Sequence, residues 1–411
     1  MAHDKGCELI RNWKENTVYI SLMQLTLLVV NFFLITIISR IYGAETYGEY
    51  ASAKSLSVLI GTATVLSLAL VVTKGRAQNI EYSNEIFSNS YYLVIRNLLF
   101  SLVLLIPIAI IFGRDYSMTS LFLVGFVFNE MIHIALAYYQ ARGNFVITSK
   151  QILVRTILYG LGAWFIVSQG FSIIWVIFYQ VVILFIFFII AHFYIPKNEL
   201  NNNKNIETRK KLTKSGRKMV LTSFSSALIS ELDIVLLGLF YSGNLLGVLA
   251  WSRRILEIVF QLLAASLDII FPELSKAKDK DEVSAIRTRL RKVFVFSFSI
   301  PILFFLLRDI AGGIFVSLLG NDFSDVSTYT SAILFCLPVM VWSRINIIFS
   351  RALNFEINLS RSILIGAILS YGVYFLMNRI GYNPAILSII ISQVLISGLT
   401  TYSFRKSYAS N

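Results

Sequence analysis

The sequence predicts an all-α polytopic membrane protein of about twelve transmembrane helices in two pseudosymmetric six-helix bundles. Three observations predict it. The 411-residue chain is 56% hydrophobic and only 14% charged, its apolar blocks have membrane-spanning length, and a motif after the first block recurs after the seventh. A soluble domain carries about a quarter charged residues, so the deficit points to lipid as the main solvent.

About twenty apolar residues cross a bilayer as a helix. In the first half such blocks run over 18–39, 51–72, 91–112, 118–139, 146–167 and 171–194. The second half offers 219–240, 245–271, 293–307, 329–349, 362–377 and 385–402. Each is too long and too continuous for a barrel strand of about ten alternating residues. The first lacks a small-residue cleavage site and is expected to be retained as a helix. The expected organisation is a lobe over 1–195, a basic linker over 196–218 and a second lobe over 219–411.

Basic residues set the orientation. Of the 36 Lys and Arg, 26 fall in the tails, the inner loops and the inner edges of spans when Met1 is placed in the cytoplasm. The outer loops keep Arg40, Arg114, Arg308 and Arg379. This asymmetry predicts both termini cytoplasmic. It also accounts for the net charge of +13 through contact with anionic lipid, with no nucleic-acid partner. The 196–218 loop, with Asn201, Asn202, Asn203 and eight basic residues, reads either as a helix on the inner leaflet or as a solvated linker. Residues 275–292 form a second basic inner segment.

The halves repeat one another. Residues 41–51 align without a gap on 240–250, matching Tyr42 with Tyr241, Gly48 with Gly247, Ala51 with Ala250 and Lys54 with Arg253. Gly113 to Ser117 matches Gly320 to Ser324, and Asn144-Phe145 matches Asn354-Phe355. Six spans per unit make both units enter the membrane in the same sense, and two such lobes imply alternating access.

Charges inside spans cost about 2.5–3.5 kcal/mol each, so they face an aqueous cavity or a partner. In the eighth span Arg253, Glu257, Gln261, Ala264 and Asp268 share an arc of about 80° at helical spacing. Glu257 reads equally as the intrahelical partner of Arg253 or Arg254 and as a ligand-facing group. In the seventh span Ser223, Ser226, Ser230 and Asp233 share an arc from which Glu231 points away. The first span carries Thr17, Ser21, Gln24 and Asn31 on one face; the second Lys54, Ser57, Gly61 and Thr64; the fourth Glu130, His133 and Ala137; the fifth Arg155. Arg96 and Arg344 read as snorkelling residues near the cytoplasmic face. These stripes suit a shared cavity and a cargo anionic at one end and polyhydroxylated along the rest.

No enzyme site is visible. The chain has no phosphate-binding glycine loop with Lys, no Gly-x-Ser-x-Gly and no metal-spaced histidines, so neither cofactor nor metal is expected. Cys7 and Cys336 make no disulfide framework. Asp279-Lys280-Asp281 imitates a sugar-nucleotide transferase triplet, a pattern expected on the order of once by chance and here without a supporting soluble domain.

The stretch Ser39 to Tyr50, Ser-Arg-Ile-Tyr-Gly-Ala-Glu-Thr-Tyr-Gly-Glu-Tyr, resembles the signature after the first helix of bacterial polysaccharide exporters. These form the O-antigen flippase (Wzx) branch of the multidrug/oligosaccharidyl-lipid/polysaccharide (MOP) superfamily. Asp233 with Leu-Leu-Gly, Gly247, Arg253-Arg254-Ile255 and Glu257 resembles the seventh-to-eighth helix pattern, and Phe271 to Ser275 its exit. The stretch Leu246-Gly247-Val248-Leu249 lacks the Tyr usually found after the glycine in that family. The resemblance implies a V-shaped pair of bundles in the bacterial cytoplasmic (inner) membrane. It implies flipping of an undecaprenyl-diphosphate-linked oligosaccharide, an O-antigen, capsule or exopolysaccharide repeat unit, to the outer leaflet. Polysaccharide polymerase and chain-length regulator proteins are the expected partners besides membrane lipids. Lys54, Arg155, Arg253 or Arg254 are then expected to hold the diphosphate, with Asn31, Gln24 and Gln261 as further substrate contacts. Glu130, Asp233, Glu257 and Asp268 are expected in coupling or gating.

Three alternatives compete. A cation-coupled drug antiporter of the same superfamily generally places an acid in the first helix, where this chain has Asn31. A lipid II flippase is expected to have fourteen spans. A repeat-unit polymerase usually has a large outer loop, and every outer loop here is short.

Overall fold

In a computed structural model the chain is described over residues 2–77, 85–112, 116–142, 144–196, 206–268, 274, 280–352, 356–380 and 385–409. Within these, the side chains of 2–21, 77, 108–112, 218, 265–266, 268, 280–285, 287, 351–352, 356–357, 378–380 and 407–409 lie outside the description. Asp268 is therefore placed by its backbone alone. The expectations on Asn201 to Asn203, the Gly113 to Asp115 match, Asn354-Phe355, Phe271 to Glu273 and Asp279 lie outside the described residues.

The described residues are helical nearly throughout. Helix α1 runs Ala2–Thr64, and its 63 residues are interrupted at Gly43, where φ 81° and ψ 175° are non-helical. Uninterrupted, it would reach about 95 Å, roughly three hydrocarbon cores. The break lets one run of helix supply the first two spans. A second break follows at Leu66 and Ser67, both at φ 51°, before α2 (Leu68–Ala77). Then come α3 (Ile86–Phe112), α4 (Tyr116–Ala141), α5 (Phe145–Ser168) and α6 (Ile173–Phe193). Helix α7 (Ile206–Phe240) carries 13 residues before its apolar stretch Met219–Phe240, so most of the expected linker is helical and continuous with the seventh span. Helix α8 is Gly243–Asp268.

By length and apolarity, nine helices among the described residues can cross a membrane, or ten if the bent pair Thr288–Leu306 and Arg308–Leu319 is one span. The stretch Leu22–Thr64 counts once there although Gly43 divides it, and α8 is long enough but loses apolarity to Arg253, Arg254 and Glu257. With those two allowances the spans reach about twelve. The ninth departs from its expected bounds: where the sequence predicts a span ending at 307 and an outer loop, the helix resumes at Arg308 with a 72° bend. Arg308 stacks 5.6 Å from the Phe305 ring and bonds Asp309, which lets the chain turn at a charged pair while the apolar run to Leu319 continues.

The chain divides into two compact units. The first comprises Met1–Ile41 and Leu56–Val220; the second comprises Tyr42–Ser55 and Leu221–Asn411. The first unit buries Leu93, Val127, Met131, Ile134, Leu136 and Phe187 from α3, α4 and α6 in one core. Trp164, Phe165 and Trp175 are exposed around the α5–α6 turn, as an interfacial belt would require. The N-terminal turns of α7 belong to this unit. Thr208 donates to Glu85 at 2.9 Å, Arg209 donates to Asn89 at 2.8 Å and stacks 3.8 Å over Tyr92, and a Cβ on Gly216 would lie 2.8 Å from the Leu66 carbonyl oxygen.

The second unit is built around a close approach of the two repeat motifs. A Cβ on Gly48 would sit 2.7 Å from the Gly247 nitrogen, and one on Gly247 only 1.8 Å from the Ala44 carbonyl oxygen. Neither position accepts a side chain, so the matched glycines allow backbone contact. Around this contact Tyr47 packs on Trp251 at 6.1 Å and on Phe323 at 6.5 Å between ring centroids. Helices Leu337–Ala352 and Ala385–Ala409 are joined by Ser343 with Thr400 (3.2 Å), Asn346 to Thr401 (2.9 Å) and Ser397 to the Val339 carbonyl (3.2 Å).

A candidate polar site inside the second unit

Helix α8 begins at Gly243, so Arg253 lies ten residues, about 15 Å, along it, near the middle of a span. A guanidinium there must find a carboxylate or water. Its partner is Asp233 of α7: Arg253 Nε donates to Asp233 Oδ2 at 3.1 Å, and both side chains are 1% exposed. Gln393 Nε2 donates to the same oxygen at 2.6 Å, and Arg253 Nη2 reaches the Ile229 carbonyl at 3.4 Å. Asp233 Oδ1 and Arg253 Nη1 have no hydrogen-bond partner among the described residues.

The next residue faces a different group. Arg254 Nη1 pairs with Glu257 Oε2 at 2.5 Å, three residues on, and Gln261 Nε2 donates to Glu257 Oε1 at 2.8 Å. Lys54 lies within electrostatic reach of Arg254, Glu231 and Glu257, and Ser55 donates to Glu231 Oε2 at 2.7 Å. Two cations and two carboxylates thus balance where the Tyr42–Ser55 segment meets α7 and α8.

Between the two groups opens a cavity of about 250 Å³. Its polar wall is formed by Ser226, Ser230, Gln261, Ser343 and Gln393, its charged wall by Arg253, Glu257 and Arg344. Ile229, Phe260, Met340 and Ile347 complete it with apolar surface. The helical arc of Arg253, Glu257 and Gln261 therefore faces one space. Ser226 and Ser230 of the α7 arc face it too, while Asp233 touches it only through Arg253 and Gln393. Glu231, off that arc, belongs to the charge cluster with Lys54.

The first unit holds a separate group. Arg155 of α5 lies within electrostatic reach of His133 of α4, and Arg155 Nη1 has no partner among the described residues. Glu130 is one turn before His133 on α4, half-buried, as is Asn31 on α1; Gln24 is exposed. No described bond joins Gln24, Asn31 or Glu130 to Arg155.

Sequence reasoning missed Arg344, Ser343 and Gln393. Arg344 reads as a snorkelling residue, yet it lines the cavity, in an apolar stretch (Asn321–Ser350) whose most apolar window is 72% buried. That depth of burial around Arg344 becomes visible only once neighbouring helices are placed.

Comparison with known proteins adds the family. A family model described as polysaccharide biosynthesis protein matches residues 71–328, more than half of the chain. No curated protein sequence matches. Among solved structures, the lipid II flippase MurJ in an inward closed conformation is similar with TM-score 0.72 and 14% identity, over 95% of this chain and 87% of that one. An inward-facing multidrug resistance MATE family transporter of the MOP superfamily gives 0.70 and 11% identity, over 96% and 98%. The Vibrio cholerae MATE transporter VcmN in the bent form gives 0.60 and 12%, over 97% and 98%. Sequence match and backbone agree, and the chain is a multi-pass membrane protein that belongs to the polysaccharide biosynthesis protein family and has the fold of the MOP-superfamily transporters.

Proposed function

We propose that the protein is a flippase, moving an undecaprenyl-diphosphate-linked oligosaccharide repeat unit from the cytoplasmic to the outer leaflet of the bacterial inner membrane by alternating access. The observation that carries this reading is the charged and hydroxylated interior of the second unit, built on helices of spanning length in a chain of a polysaccharide biosynthesis family. Charges at that depth cost about 2.5–3.5 kcal/mol each, an expense that a lipid-tail exporter or a purely structural bundle has no reason to carry. A cargo with a diphosphate and many hydroxyls has use for cations beside serines and amides.

In this reading Lys54 and Arg254 serve the diphosphate from the second unit and Arg155 from the first. Arg253 is neutralised by Asp233 and acts by shaping the cavity wall. Asp233, Glu257, Glu130 and Asp268 are the acids available for coupling. An inside-negative potential of about 100 mV acting on a charge of about −2 supplies roughly 4–5 kcal/mol for outward movement across the whole field. Both termini lie in the cytoplasm, and polysaccharide polymerase and chain-length regulator proteins take up the product outside.

The test is deletion followed by complementation. Loss of the gene is expected to accumulate lipid-linked repeat units on the inner side of membrane vesicles. Lys54→Gln and Arg254→Gln variants, present at normal protein level, are expected to restore surface polysaccharide only in part. Full restoration by both variants removes the diphosphate assignment. Repeat units reaching the outer leaflet normally in the deletion strain, with a drug-sensitivity phenotype instead, replace flipping with drug antiport.

A further inference from the structure

The second span is broken where its own residues do not favour a break. Leu66 and Ser67 both sit at φ 51°, and among the described residues they are the two non-glycine residues at positive φ. Left-handed backbone penalises a side chain with a Cβ, so two such residues in succession persist only because their surroundings hold them there.

Three sets of contacts hold them. Beyond the break, Leu68, Val71 and Val72 of α2 are buried in the core of the first unit, so bending removes apolar surface from its surroundings. Before it, the Leu68 N–H bonds the Val65 carbonyl at 3.0 Å instead of the Thr64 carbonyl that a continuous helix would offer. Asn97 Nδ2 of α3 donates to the freed Thr64 carbonyl at 3.0 Å, as a helix broken inside lipid requires. At the break itself Gly216 of α7 lies against Leu66: a Cβ there would meet the Leu66 carbonyl oxygen at 2.8 Å and the Leu66 Cβ at 3.1 Å.

Both helices that meet here are shared between the two units. The second span starts within Tyr42–Ser55 of the second unit and ends in the first, while α7 starts in the first and from Leu221 onward belongs to the second. Ser226 and Ser230 of the cavity wall lie about 15 and 21 Å beyond Gly216 on the same uninterrupted helix.

We propose that Leu66-Ser67 is a strained hinge in the second span, locked in its bent form by Gly216, so that movement of α7 at the cavity is passed on to the second span. When α7 lifts, Leu66 and Ser67 return to right-handed backbone and the Leu68 N–H returns to the Thr64 carbonyl. The span then runs as one helix from Ala44 to Ala77. This device belongs to the carrier rather than to its cargo and goes beyond the flippase reading.

Nitroxide labels at the exposed positions Glu49 and Lys74 report the bend by pulsed electron paramagnetic resonance, on full-length protein in nanodiscs with Cys7→Ser and Cys336→Ala. A continuous helix separates the two positions by about 38 Å, and the bent span brings them closer. Ser67→Ala and Ser67→Gly both remove the hydroxyl, but alanine favours the straight helix and glycine the left-handed bend. The bent-to-straight ratio is therefore expected to be about tenfold higher with glycine. Gly216→Ala is expected to lower that ratio about tenfold, and Ser67→Gly on the same background to restore it. Complementation of the deletion strain is expected to follow, reduced by Gly216→Ala and recovered by the added Ser67→Gly. One unchanged distance in every variant overturns the hinge, as does an equal ratio in Ser67→Ala and Ser67→Gly. A shift in Gly216→Ala that Ser67→Gly does not reverse overturns the lock; should Gly216→Ala fail to fold, the two Ser67 variants alone decide. The distances are read without cargo, so a failure of the flippase reading leaves them standing and the two failures are distinguishable.

Discussion

Removing Asp233 isolates the energetic role of the buried pair. In Asp233→Ala the Arg253 guanidinium, 1% exposed, loses the carboxylate 3.1 Å from its Nε, and the Gln393 amide loses its 2.6 Å acceptor. Breaking a buried pair by deleting one partner costs about 3–5 kcal/mol, because the remaining charge stays buried without compensation. Arg253→Ala is expected to cost a similar amount by orphaning Asp233. Replacing both members with apolar residues of similar size, Asp233→Leu with Arg253→Met, removes both charges together, and this double variant is expected to be more stable than either single one. The assay is a double-mutant cycle on the purified protein, read by denaturant unfolding in mixed micelles and supported by protein level in membranes. Single variants as stable as the parent, or a double variant that loses the sum of the two single losses, would refute the account of a mutually dependent pair.

Other expectations follow from the packing. Gly247→Ala places a methyl 1.8 Å from the Ala44 carbonyl oxygen and is expected to destabilise the second unit by about 1–3 kcal/mol or more, measurable as a lower unfolding midpoint. Gly43→Ala forces a side chain onto φ 81°, ψ 175°, and is expected to cost about 1–3 kcal/mol in the same measurement. Arg209→Ala loses the 2.8 Å bond to Asn89 and the stacking on Tyr92, and hydrogen exchange across Ile206 to Arg217 is expected to accelerate while the core of α4 keeps its protection. Arg254→Gln leaves Glu257 bonded to Gln261, so it is expected to lower export with little effect on unfolding.

Much of the fold is legible in the sequence because lipid imposes a single length scale. Apolar blocks of about twenty residues mark α4, α5 and α6 within a few residues, and the repeat marks Gly48 and Gly247 as equivalent positions, whose backbone contact only the structure reveals. Periodicity also groups Arg253, Glu257 and Gln261 on one face, since that requires only the 100° step of a helix. What it does not reveal is pairing across helices. Arg253 has Glu257 four residues away on its own helix, yet it bonds Asp233 on α7, and it is Arg254 that takes Glu257. That choice depends on the rotation of α7 against α8, which local sequence does not encode. The same limit hides Arg344 and Gln393, whose role exists only where four helices converge. The bend at Leu307 is missed for another reason: Arg308 beside an apolar run reads as the start of a loop, while the structure satisfies it with Asp309 and the Phe305 ring.

The excursion of residues 42–55 has a bearing on how such proteins are recombined. Because this stretch is interleaved with the second unit's aromatic core at Tyr47, Trp251 and Phe323, a gene cut between 197 and 205 yields no fragment that encodes an intact unit. Halves exchanged between relatives at that seam would inherit mismatched glycines and aromatics at Gly48 and Tyr47. A working chimaera must transplant the short early segment along with the distant C-terminal portion, so inheritance of this fold is bound to the whole reading frame.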